Sequence, residues 1–250
     1  MDRESLRRDE AVRLDLHHVA TENGSIAALA YEPRRARDLA IVAGHGYSSS
    51  KHNLDPLCAF LAAHGFAMYA LDFPGHKLGA SGGRLRDADD AVAAMAAIVA
   101  LARSHGFARV LTLGHSMGAM AALFTAAEDR ELLGAVAIAT GYGRPTALSA
   151  LQRAGATDFR SGYVEGATLP ELVEGIDRRY DRALPLLLGR QALYVAASGD
   201  AMVSPASVRD LYERAPQEKH FVTIESDHTE AGPRARAEVL AWLDERFPRS

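Results

Sequence analysis

Six short, nearly continuous apolar runs alternate with segments of helical periodicity, and this alternation is the strongest constraint on how the chain can fold. Such runs are typical of strands in a parallel sheet that is covered on both faces. Apolar residues three and four positions apart, as at Leu54, Leu57 and Leu61, predict the helices between them. The pattern therefore predicts an α/β fold with a mostly parallel, doubly wound sheet. The six runs are LAIVAG (39–44), FAMYALD (66–72), VLTLGHS (110–116), LGAVAIAT (133–140), ALYVAASG (192–199) and HFVTIES (220–226).

The N-terminal region departs from this alternation. Residues 12–19 and 25–31 flank an Asn23-Gly24 pair, which is a strong signal for a tight turn between antiparallel strands. We therefore expect the sheet to begin with an antiparallel hairpin. The chain has 250 residues, of which 48% are hydrophobic, enough to build one large core. A single domain over residues 1–250 is predicted.

One connection is too long for a simple crossover. About 50 residues separate the strand that ends near Thr140 from the strand that begins at Ala192, whereas one helix with short loops would suffice. We predict a small helical cap inserted at about 144–190. Its apolar stripe is expected to line an acyl or aryl pocket of limited size, with the arginine-rich face turned to solvent. We predict that the stripe lies on one helix, which follows a capping box at Thr168 and Glu171. The stripe consists of Leu169, Leu172, Val173, Ile176 and Tyr180.

The sequence GHSMG, residues 114–118, stands where a predicted strand meets a predicted helix. Glycines on either side of a serine are needed when a strand turns so sharply into a helix that the flanking positions have no room for side chains. In an open α/β sheet, ligands bind at the carboxyl ends of the strands. Ser116 is therefore the candidate nucleophile.

A serine hydroxyl is a weak nucleophile near neutral pH and needs a histidine base, which a carboxylate in turn must orient. Asp200 follows one predicted strand, and His228 follows the next. Nucleophile, acid and histidine thus occur in the chain order Ser, Asp, His at the same edge of the sheet. Asp227 is a rival acid, but sequence neighbours on a loop usually project differently, so Asp200 is preferred.

The oxyanion of a tetrahedral intermediate also needs backbone N–H donors. Met117, directly after the serine, supplies one such N–H. Five further features are AGHGYSSS at the end of the first interior strand, LDFPGH at the end of the second, GHSMG, GDAMVSP and the loop histidine. In these features the chain resembles the α/β-hydrolase superfamily over essentially its whole length. The nearest groups are the monoacylglycerol-lipase-like and cinnamoyl-esterase-like serine hydrolases. The resemblance implies an α/β-hydrolase fold and assigns the second oxyanion N–H to Tyr47.

These residues predict a serine hydrolase that cleaves a carboxylic ester through an acyl-enzyme. A thioesterase, an aminopeptidase or amidase, and an acyltransferase would use the same three side chains and stay open as alternatives. A ligand-binding module without catalysis is a remote alternative, because it predicts loss of the serine, the acid or the histidine, and none is missing.

Charge and composition limit the classes of partner that the chain is expected to bind. A formal charge of −4 and the absence of basic runs argue against nucleic acid, and the charged N-terminus argues against a signal peptide. We expect a cytoplasmic protein without integral membrane association that acts on a small-molecule ester; a homodimer stays open. No metal or organic cofactor is expected. Cys58 is the only cysteine, and His17 and His18, adjacent on a strand, point to opposite faces.

Overall fold

An eight-stranded sheet forms the centre of the molecule. A computed structural model describes residues 11–143, 159–216 and 218–249. The strands are β1 (Val12–Thr21), β2 (Gly24–Pro33), β3 (Leu39–Gly44), β4 (Ala67–Leu71), β5 (Arg109–His115), β6 (Gly134–Ile138), β7 (Gln191–Ala197) and β8 (Lys219–Ile224). Their order is β1-β2-β4-β3-β5-β6-β7-β8. The pairs β1–β2 and β2–β4 are antiparallel and the later pairs are parallel, which confirms the predicted fold class.

Helices cover both faces of this sheet and enclose two apolar layers. One layer lies under α1, α7 and α8, and the other under α2, α3, α6 and the cap. The central strands are buried along their whole length, which explains why their sequences read as continuous apolar runs. The helices are α1 (Asp55–Ala63), α2 (Ala88–Ser104), α3 (Met117–Glu128), α4 (Leu169–Val173), α5 (Ile176–Ala183), α6 (Pro205–Arg214), α7 (Ala231–Arg234) and α8 (Arg236–Arg246).

The described part of the predicted cap, residues 159–190, lies between β6 and β7; residues 144–158 fall outside the described residues. Thr168 and Glu171 form the expected capping box at the start of α4. The apolar stripe was predicted as one helix, and this was wrong. Gly175 adopts a left-handed conformation with φ 69°, which ends one helix and begins the next. The stripe therefore runs across α4 and α5.

Helix α5 packs on α3, the helix that begins at the candidate nucleophile. The rings of Tyr180 and Phe124 lie 5.0 Å apart, and the Arg179 guanidinium lies 4.4 Å from the Phe124 ring centre. Arg179 also pairs with Asp89 at 2.6 Å and with Glu128 at 3.2 Å. The expectation that the cap arginines face solvent is thus wrong for Arg179, which fastens the cap to the two helices beneath it.

Candidate active site

Ser116 lies on a strained turn between β5 and α3. Its backbone has φ 55° and ψ −112°, a conformation that side-chain-bearing residues rarely adopt. A Cβ at Gly114 would lie 2.0 Å from the carbonyl carbon of Gly118, and a Cβ at Gly118 would lie 2.0 Å from the carbonyl oxygen of Gly44. Three backbone segments therefore meet too closely for side chains at either glycine. This is the structural reason for the GHSMG pattern.

The structure brings the three predicted triad side chains together. His228 Nε2 lies 3.0 Å from Ser116 Oγ, and His228 Nδ1 lies 2.7 Å from Asp200 Oδ2. Because a carboxylate can only accept, Nδ1 carries the proton and Nε2 accepts from the serine hydroxyl. This is the geometry a general base needs to activate an alcohol nucleophile.

Asp200 is held as a carboxylate. Burial by itself would raise its pKa, but hydrogen bonds from His228 and from the N–H groups of Val203 and Met202 outweigh burial and lower it. Those two N–H groups lie 2.7 and 2.8 Å from Oδ1. Oδ1 therefore accepts from its own loop, and Oδ2 accepts from His228. Asp227 is exposed and accepts from the N–H of Glu230 at 2.9 Å. The geometry therefore favours Asp200 over Asp227 as the partner of His228.

His115, the residue before the candidate nucleophile, contacts the loop of the candidate base. Its Nε2 lies 2.7 Å from the carbonyl oxygen of His228. Burial, with the nearby His228, lowers the pKa of His115 to about 4, so the ring is neutral at physiological pH and its Nε2–H donates to that carbonyl. No signal in the sequence could have paired these two residues, since they are 113 positions apart.

The loop after β3 is fixed by a second neutral histidine. His45 Nδ1 lies 2.7 Å from the Gly46 carbonyl oxygen, and its Nε2 accepts from the N–H of Phe73 at 3.0 Å. Burial, together with the neighbouring His76, lowers the pKa of His45 to about 3. His45 thus holds the loop against the end of β4.

A buried ion pair, which the sequence did not predict, holds the other end of this loop. Lys51 Nζ contacts Asp72 Oδ2, and the Lys51 N–H donates to Asp72 Oδ1 at 2.7 Å. Burial would raise the pKa of Asp72, but the two Lys51 contacts and the Ala80 N–H lower it. Lys51 is therefore a buried residue that supports the loop. The conspicuous Asp in LDFPGH was the available signal.

Tyr47 and Met117 flank the candidate nucleophile. Met117 is the first residue of α3, so its N–H is among the helix-initial amides that have no acceptor within the helix. Tyr47 lies in the wall of the same cavity as Ser116, and its hydroxyl donates to the carbonyl of Ala167 at 2.9 Å and contacts Ser161 Oγ at 3.1 Å. The oxyanion role of the Tyr47 and Met117 N–H groups stays a prediction.

Two spaces of different character meet at Ser116. A cavity of about 410 Å³ is lined by polar residues, among them Ser48, His52, Asn53, Arg160 and Thr229, and by the apolar side chains of Leu78, Leu169 and Met202. A much smaller pocket of about 20 Å³ lies under the cap stripe. Its lining is almost wholly apolar: Met117, Met120, Leu169, Leu172, Val173, Ile176 and Tyr180, with Thr140. The stripe residues therefore do contact the space beside the candidate nucleophile.

No helix in the described part of the chain is long and apolar enough to cross a lipid bilayer.

Comparison with known proteins gives the family. The family model described as serine aminopeptidase, S33 matches residues 35–178. No curated protein matches the chain in sequence.

Solved structures share the fold at low sequence identity. A cold-adapted esterase from an Arctic intertidal metagenomic library is 18% identical, with 96% of each chain covered and a TM-score of 0.69. An esterase from Pyrococcus furiosus is 18% identical, with 98% of this chain and 91% of that chain covered and a TM-score of 0.70. The thioesterase domain from the curacin biosynthetic pathway is 15% identical, with 92% and 99% covered and a TM-score of 0.65. The chain therefore belongs to the serine aminopeptidase S33 family and is a hydrolase of the α/β-hydrolase superfamily.

Proposed function

We propose that the chain is a serine esterase that cleaves a carboxylic ester in two steps. The observation that carries this proposal is the hydrogen-bonded series Ser116–His228–Asp200, which opens onto a cavity large enough for a small ester. Ser116 Oγ bonds to the ester carbonyl carbon while its proton passes to His228 Nε2. Asp200 holds the proton on Nδ1 and stabilises the resulting imidazolium. The N–H groups of Tyr47 and Met117 bind the oxyanion.

The second half of the cycle returns the enzyme to its starting state. His228 gives its proton to the departing alcohol, which leaves an acyl group on Ser116. A water molecule then attacks that carbonyl carbon and gives a proton to His228, and the carboxylic acid leaves as the proton returns to Ser116 Oγ. The same steps would release a thiol from a thioester or an amine from an amide. Which of these substrates is cleaved therefore depends on which one fits the space around Ser116.

The two spaces at Ser116 suggest how an ester would lie. The apolar pocket of about 20 Å³ has room for a group about the size of a methyl. We assign it to a short acyl chain, and we assign the larger cavity of about 410 Å³, which has both polar and apolar walls, to the alcohol. The esterase activity named for the Arctic and Pyrococcus structures supports the ester assignment. The thioesterase neighbour and the aminopeptidase family name make thioesters and amides the alternatives to test.

The test combines active-site labelling with a substrate panel. A fluorophosphonate probe should label the wild type at Ser116, and labelling should disappear in Ser116→Ala. Ser49→Ala is the matched control, since Ser49 lines the same cavity and has no assigned step. Turnover should be fastest with p-nitrophenyl acetate and fall with acyl length. Faster turnover of acyl-thioesters or of amino acid p-nitroanilides would replace the esterase assignment, and labelling that survives Ser116→Ala would refute the nucleophile.

A further inference from the structure

A second cluster of reactive side chains lies far from Ser116. His17 on β1, Glu32 on β2 and His105 directly after α2 each offer one ligand atom, and these atoms lie within 4.8 Å of one another. His105 leads into the amino end of β5, whereas Ser116 follows its carboxyl end. The seven residues of β5 therefore separate the two places by about 20 Å.

The three groups have the chemistry of a transition-metal site. Two imidazole nitrogens and one carboxylate oxygen are ligands that suit zinc and its neighbours in the first transition series. Metal–nitrogen and metal–oxygen bonds of about 2.1 Å place tetrahedral ligands roughly 3.4 Å apart. His105 Nδ1 lies 3.6 Å from Glu32 Oε1, close to that separation. The ligand atom of His17 lies within 4.8 Å of both.

His17 supplies an independent sign of a missing ligand. Its Nε2 is buried, and it has no hydrogen-bond partner among the residues the structure describes. A buried polar atom without a partner loses its hydration without compensation, so such atoms call for an explanation. Its ring meets that of His105 edge to face, with centres 5.0 Å apart. As expected, His17 and His18 do not form a pair; the second histidine comes from a position 88 residues later in the chain.

The surroundings favour a cation. Arg13 contacts Glu32 Oε2 and lies 2.7 Å from Asp15, so it occupies the oxygen that faces away from His105. Arg13 pairs with both Glu32 and Asp15, so these three side chains together carry one net negative charge. His105 also caps the C-terminal end of α2, where the helix dipole is negative.

Tyr69 is a neighbour rather than a ligand. Its hydroxyl lies 3.0 Å from His105 Nδ1. As a hydrogen-bond partner, this hydroxyl helps to fix the orientation of the His105 ring.

We propose that His17, Glu32 and His105 form a binding site for a divalent transition-metal ion of the zinc type. The ion would join the edge strand β1 and strand β2 to the end of α2. The site lies at the opposite edge of the sheet from the triad, so it would act on stability and not on the hydrolytic step. The proposal does not depend on the proposed esterase function.

Isothermal titration calorimetry, in which zinc chloride is added to the tag-free protein, tests the site. We expect one ion per chain and a rise in melting temperature with zinc. His17→Ala and His105→Ala should each weaken binding by about tenfold or more and abolish the rise. His18→Ala is the matched control, because His18 is the exposed neighbour on the opposite face of β1 and should bind zinc as the wild type does.

Two further measurements settle cases in which a variant is damaged. Glu32→Gln keeps the shape of the side chain, so loss of zinc binding with an unchanged circular dichroism spectrum reports ligation. With copper(II) as the probe, electron paramagnetic resonance should show coupling to two nitrogens, reduced to one in His105→Ala. No binding by the wild type, or wild-type affinity in both Glu32→Gln and His17→Ala, would overturn the proposal.

Discussion

Two aspartates adjoin His228, one in space and one in sequence, and their hydrogen bonds divide their roles. Asp200 lies 2.7 Å from Nδ1, whereas Asp227 accepts from its own loop. Asp200→Asn should therefore lower kcat by about 10⁴, since the amide favours the wrong imidazole tautomer. Asp227→Asn should change kcat by less than about tenfold, because the Asp227 carboxylate influences the His228 ring only through the electrostatic effect of its charge. Steady-state rates with p-nitrophenyl acetate measure both, and equal losses would contradict the assignment.

At the scale of single residues, the sequence identified the three candidate triad side chains but not the residues that support them. Ser116, Asp200 and His228 each follow a strand, and strand ends can be read from apolar runs. The contacts of His115 with the His228 carbonyl and of Lys51 with Asp72 join residues that no spacing rule relates. Asp72 could be flagged as a polar residue after a buried strand, but its partner could not be named.

The turn between β5 and α3 depends on close backbone packing. Gly118→Ala would place a Cβ 2.0 Å from the Gly44 carbonyl oxygen, so the strand, the helix or both must shift. We expect the free energy of unfolding to fall by about 3 kcal/mol or more. Gly162→Ala is the control, since a Cβ there would meet nothing within 4 Å. Urea denaturation of both variants checks this, and a Gly118→Ala protein as stable as Gly162→Ala would show that the packing is looser than described.

The cap helices should set acyl preference. Leu172 and Ile176 line the small pocket beside Ser116, so Leu172→Ala and Ile176→Ala should enlarge it and raise kcat/KM for butyrate relative to acetate. Each methylene contact is worth about 1 kcal/mol, so a shift of roughly fivefold to tenfold is expected. Leu187→Ala is the matched control: Leu187 is equally buried in the cap but does not line the pocket. An unchanged ratio in all three variants, with only stability lost, would remove the pocket assignment.

Over the whole molecule, buried neutral histidines should make stability depend on pH. The pKa of His115 falls from 6.5 to about 4 on folding. Between these values the unfolded chain binds a proton that the folded chain does not, so the free energy of unfolding decreases as pH falls from about 6.5 to 4. His115 alone accounts for up to about 3 kcal/mol of this loss. Burial lowers the pKa of His45 and His76 as well, so both act in the same direction.

Urea denaturation at several pH values checks this prediction. His115→Gln cannot titrate, so its stability should vary less with pH over this window than that of the wild type. A variant with the same slope as the wild type would show that His115 is not the group responsible.

The sequence predicted a mostly parallel sheet and a site at the carboxyl ends of its strands. It could do so because each buried parallel strand appears as an apolar run between helical segments. It did not predict the break at Gly175, because the apolar spacing continues across it while the backbone does not. The clustering of His17 with His105 was equally invisible, since it depends on where α2 ends relative to the edge strand. The features that the sequence did not predict depend on local backbone geometry and on packing between elements that are distant in the chain.

Tyr47 links two parts of the molecule that otherwise have separate tasks. Its main chain belongs to the loop held by His45 and Lys51, while its hydroxyl is bonded to Ala167 and Ser161 in the cap. A displacement of the cap that breaks these hydrogen bonds would also free the Tyr47 ring and loosen the loop beside the candidate nucleophile. The position of the proposed Tyr47 oxyanion donor therefore depends on the cap as well as on the loop that carries it, and we expect substrate entry and the placement of that donor to be coupled.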